Sequence, residues 1–95
     1  SSGLITHADK REKALVIAQQ RMEYLKSLGY ENLDETSGFD TLNSSDAGYP
    51  HFNNSKYNIS HIEEKIIQNG ELFEITVKVS WDSKSVTLKS KLADR

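Results

Sequence analysis

A chain of 95 residues with 36% apolar residues has enough to build one thin core and not two. Its formal charge of −2, with both signs interleaved and no basic cluster, argues against nucleic acid as a main partner, and the lack of cysteine excludes a disulfide framework and a thiolate zinc site. No stretch approaches the roughly 20 apolar residues that span a bilayer.

The chain opens with Ser1-Ser2-Gly3, which reads as an expression scar, followed by the small apolar stub Leu4-Ile5. Residues 1–5 are therefore set apart, and the natural chain is expected to continue upstream. Residues 6–29 read as a stem helix. Leu15, Ala18, Met22 and Leu25 recur at three- and four-residue steps, and Ala14, Ile17 and Leu28 widen the stripe, so this half is expected to pack on a core. The preceding run THADKREK, Thr6 to Lys13, has one alanine as its only apolar residue, so those turns are expected to stand clear of the domain. At about 1.5 Å per residue, Thr6 to Leu28 would run roughly 33 Å, longer than a small sheet needs. Thr6 is a candidate N-cap, with Asp9 three residues on and able to pair with Lys13. At the other end Gly29 is placed for a left-handed cap, Lys26 lies in the last turn, and Tyr30 can fold back onto it.

Residues 30–56 turn polar and loop-like, with the sole proline at Pro50 and scattered anchors in Leu33, Phe39, Leu42, Tyr49 and Phe52. So long a connection is expected to wrap against the sheet edge. Tyr49-Pro50-His51-Phe52 is the candidate partner loop, carried by Tyr49, His51 and Phe52. Folded back, the same residues would close the sheet edge, the preferred reading in a domain short of core. Asp40, Asn43 and Asp46 offer hard oxygen donors, but their spacing matches no calcium loop and a solvated turn is expected.

Residues 57–95 change period. Phe73, Ile75, Val77, Val79 and Trp81 alternate with Leu72, Glu74, Thr76, Lys78 and Ser80, the pattern of a half-buried strand. Asn69-Gly70 is the favoured pair for a tight hairpin, so Tyr57 to Ile67 is the expected partner strand. A second turn near Ser83-Lys84 would set Trp81 opposite Val86 and Val79 opposite Leu88. One position resists: the first hairpin sets Glu64 opposite Ile75 on the buried face, where a carboxylate requires a bulge or the end of the helix's cover.

No catalytic, cofactor or metal residues emerge. His7, His51 and His61 lack a ligand spacing, Glu63 and Glu64 would point to opposite faces of a strand, and the serines lack a nucleophile elbow. Trp81 shares the inward phase of Val77 and Val79 and reads as a core residue. An enzyme is not expected.

The fold expected is α+β: a long N-terminal helix on a three-stranded antiparallel meander with a long polar connecting loop. In AQQRMEYLKSLGYENL, Ala18 to Leu33, and ITVKVSWDSKSVTLKSKL, Ile75 to Leu92, it resembles the soluble domain of type IV pilin-like proteins, in the branch of minor pilins and secretion-system pseudopilins. That resemblance implies a structural subunit anchored in the bacterial inner membrane by an apolar helix absent from this sequence. The head would lie outside the cytoplasm and join a filament through other pilin-like subunits and the inner-membrane assembly machinery. The isolated piece would be mostly monomeric. Leu15, Ala18, Met22 and Leu25 would serve the sheet, leaving Lys10, Gln20 and Lys26 free to meet neighbours. The alternative is a stand-alone binding module that docks a partner through its charged helix.

Overall fold

The computed structural model describes residues 6–50 and 61–93, with side chains from Lys10 onward. Helix α1 spans Thr6–Leu28 and packs across a sheet of four antiparallel strands, β1 (Asp40–Thr41), β2 (His61–Asn69), β3 (Leu72–Trp81) and β4 (Lys84–Ala93), in the order β1-β2-β3-β4. The coarse class is α+β. The meander of three strands gains a fourth, the two-residue β1, whose Asp40 and Thr41 stand opposite Glu64 and Glu63. A strand so short and polar has no alternation to read.

The core lies between the helix and the inner face of the sheet. Ile17 from α1, Ile62 from β2 and Ile75, Val77 and Val79 from β3 are its largest wholly enclosed side chains. Each contributes about 1.5–3 kcal/mol by leaving water. Trp81, Phe73 and Val86 extend this layer along the sheet, and Leu33 closes it from the connecting segment. The burial stripe on the helix runs Ala14, Ile17, Ala18, Arg21, Met22 and Leu25. Leu15 only flanks it, half-buried, because the stripe is rotated by about one position from the expected Leu15-Ala18-Met22-Leu25 face.

At the helix end Gly29 has φ 85° and ψ 158°, positive in φ as expected but extended in ψ, so no left-handed cap forms. The terminal carbonyls are met otherwise: Gly29 N–H donates to Lys26 O at 3.2 Å, and Asn32 Nδ2 donates to Leu28 O at 2.7 Å. Tyr30 opens a 3-10 turn, Tyr30–Asn32, and lays its ring on Phe73, 4.8 Å between centroids.

Both hairpins turn one residue away from the expected place. The first pairs Asn69 with Leu72, so Gly70-Glu71 forms the turn, with positive φ (66°) at Gly70 as a type II′ turn requires. The second pairs Trp81 with Lys84 around Asp82-Ser83, at φ 45° and 64°, the two left-handed positions of a type I′ turn. Val79 therefore faces Val86, and Val77 faces Leu88. Each turn moves the partner by two residues, which keeps every side chain on its own face; the alternation cannot detect such a slip. Tyr57 to Ser60, the start of the expected partner strand, lies outside the described residues.

Between helix and β2 the chain does lie along the sheet edge. Thr36 N–H donates to Ile66 O at 2.9 Å and Leu42 N–H to Ile62 O at 2.8 Å, so the outer edge of β2 is covered by main chain on both sides of β1. Leu33 and Leu42 turn inward, but Phe39, expected as an anchor, is 44% exposed. It sits against the ammonium groups of Lys65 and Lys78, 5.5 and 5.8 Å from its ring centroid, on the sheet face away from the helix.

Candidate functional site

Glu64 does lie on the inner face, directly opposite Val77, and no bulge carries it away. Its counter-ion comes from the helix. Arg21 Nε donates to Glu64 Oε1 at 2.7 Å, with the two side chains only 7% and 12% exposed. A second guanidinium nitrogen of Arg21 donates to the carbonyl of Ala47, and the group lies over the Tyr24 ring at 5.0 Å. One side chain thus ties together helix, central sheet and loop. A buried carboxylate without such a partner would be costly; with it, both charges are matched and the loop is pinned.

The loop meets the helix just beyond this pair. Gly48 has φ +73°, and a Cβ there would collide with the ring of Tyr24. Only glycine fits both the backbone and the space. Gly48→Ala is expected to cost about 1–3 kcal/mol and to raise hydrogen exchange in the loop before the sheet, as read by urea melts and amide exchange.

Two hollows flank the clamp. The larger, about 480 Å³, opens between the C-terminal half of α1 and the segment along β2, with Arg21, Leu25, Leu33, Asp40, Asp46 and Glu64 among its walls. The smaller, about 330 Å³, lies between Gln20, Glu23 and Tyr24 on the helix and Gly48, Tyr49 and Pro50 in the loop. In neither is a nucleophile paired with a base among the described residues. Glu64 is held by Arg21, and Asp46 Oδ2 accepts from Asn43 N–H at 2.7 Å while its own N–H donates to Asn43 O at 2.9 Å. That reciprocal pair makes Asn43 to Asp46 a self-closed turn. Among the described residues no three His, Cys, Asp or Glu side chains are gathered to hold a metal ion.

No protein-family model, curated protein or solved structure matches this chain.

Of the expected helix core face, Ala18, Met22 and Leu25 are buried and Leu15 is half-buried. The expected contact face does not hold together. Lys10 lies on the same side as Ala14, Ile17 and Arg21, at steps of four, three and four, and its ammonium pairs with Asp82 of the β3–β4 turn at 2.9 Å. Gln20 is half-covered, and its Oε1 is buried with no partner among the described residues. Lys26 alone of the three is exposed. The outward arc consists instead of Glu12, Gln19, Glu23 and Ser27 with Lys26 at its margin. In the candidate partner loop, Tyr49 packs against the core from its edge, while His51 and Phe52 lie outside the described residues.

Sequence reasoning missed Arg21, the centre of the clamp. The signal was present: the misplaced carboxylate of Glu64 demands a cation, and Arg21 is a cation within the buried stripe of Ala14, Ile17, Ala18 and Leu25.

Proposed function

We propose that this chain is the head of a filament subunit of the type IV pilin-like class, a minor pilin or pseudopilin whose activity is assembly. The observation that supports this reading is the helix. It packs on the sheet from Ala14 to Leu28, is tied to the β3–β4 turn at Lys10, and exposes Arg11 and Glu12 between them. From Glu12 to Ser27 its outward arc is polar apart from half-buried Val16, as suits a helix that meets neighbouring subunits without being buried in its own domain.

No helix among the described residues is long and apolar enough to cross a membrane, so in this reading the anchor belongs to the segment preceding Leu4. Such a subunit sits in the bacterial inner membrane with its head outside the cytoplasm, and then enters the filament. The sequence of the gene upstream tests this directly. An apolar run of about 20 residues continuous with the helix is expected, and fractionation of the full-length product should place it in the inner membrane. A polar stretch or a start codon in that place overturns the reading.

A further inference from the structure

The order β1-β2-β3-β4 leaves β1 and β4 at opposite edges of the sheet, and the two edges carry opposite charge. The segment beside β2 is acidic: residues 30–50 hold Glu31, Asp34, Glu35, Asp40 and Asp46 and no lysine, arginine or histidine. All but Asp46 are exposed. The lysines nearest this edge, Lys65 and Lys78, sit around Phe39 on the outer face, with Lys78 directly across from Glu63. The far edge is basic. Strand β4, Lys84–Ala93, carries Lys84, Lys89 and Lys91 and no acid, and all three lysines are exposed.

Among the described residues β4 has no strand on its outer side, and an edge strand of ten residues is a template for further pairing. Lys89 and Lys91 repel a second β4, which disfavours symmetric pairing of two identical edges. The same lysines attract the acidic edge. We infer that the occupant of the β4 edge is a second copy of this chain, docked through Asp34, Glu35 and Asp40. Because the two patches differ, the contact is heterologous, and it repeats from copy to copy without closing on itself. This inference rests on the subunit reading for its setting and says which surfaces meet.

Charge reversal tests it. The wild-type chain should show weak, reversible association in sedimentation at about millimolar concentration, growing as salt is lowered. K89E/K91E turns β4 from three positive charges to a net −1, and E31K/D34K/D40K turns residues 30–50 from five negative charges to a net +1, so each variant alone should lose association at least about tenfold. An equimolar mixture of the two should regain it as chains in which the variants alternate, because every contact then joins one copy of each. Circular dichroism melts establish that each variant is folded, and should either fail to fold, K89Q/K91Q and D34N/D40N, expected to lose most of the association, take its place. A strictly monomeric wild type at low salt, unaltered association in the variants, or a mixture that stays monomeric each overturns the inference. If the apolar upstream segment is present and the edges do not pair, assembly runs through the helix alone; if the edges pair and that segment is lacking, the edge contact stands and the anchored-subunit reading falls.

Discussion

Arg21→Met is expected to be the most damaging conservative-volume change in the chain. It leaves the Glu64 carboxylate on the inner face opposite Val77 with its counter-ion gone, and such a loss costs about 3–5 kcal/mol. In a domain of this size that lowers the melting temperature by on the order of 20 °C. The double variant R21M/E64L should recover most of the loss, because an apolar pair of similar volume removes both desolvation penalties at once. What it should not recover is the loop. The Ala47 carbonyl still lacks its donor, worth about 1 kcal/mol, so amide exchange should remain faster in the loop around Ala47 even as the urea midpoint returns towards wild type. A double variant as unstable as the single one would mean that the clamp matters through shape and not through charge.

The clamp also shows where sequence patterning stops. Helix α1 was legible through its stop at Leu28, since a three-four stripe followed by glycine specifies both a helix and its end. Its rotation was legible in part: Ala14 and Ile17 belong to the expected stripe and are buried, but Leu15 outweighs Ala14 in any hydrophobic reading, and the sheet also receives Arg21, which no hydrophobic reading places there. Small and charged residues let the backbone come close and place one guanidinium over a carboxylate, and neither effect registers as hydrophobic periodicity. The same rotation explains Lys10, which looked free and instead closes onto Asp82. In the sheet the strands were legible and their register was not. Gly70-Glu71 and Asp82-Ser83 supplant Asn69-Gly70 and Ser83-Lys84, and a two-residue slip preserves the inward set Phe73, Ile75, Val77, Val79 and Trp81. Strand β1 escaped because its pairing is set by the main chain along β2, with no apolar side chain to announce it.

The division of labour along α1 yields the second large effect. Ile17 is wholly buried beneath the sheet, so Ile17→Ala is expected to cost about 2–5 kcal/mol, the transfer of the lost methylenes plus the cavity they leave. Lys10 also faces the sheet side, but its pair with Asp82 is 21% and 53% exposed, and Lys10→Ala is expected to cost less than about 1 kcal/mol once solvent screening is counted. Urea denaturation of both variants, with unchanged m-values to show that the unfolded states are alike, measures the gradient. A steep gradient is what a helix needs if it is to hold a head firmly at one end while its first turns leave the domain. Equal losses at positions 10 and 17 would make the helix a uniformly seated element of a closed domain, and would remove the main support for a stem.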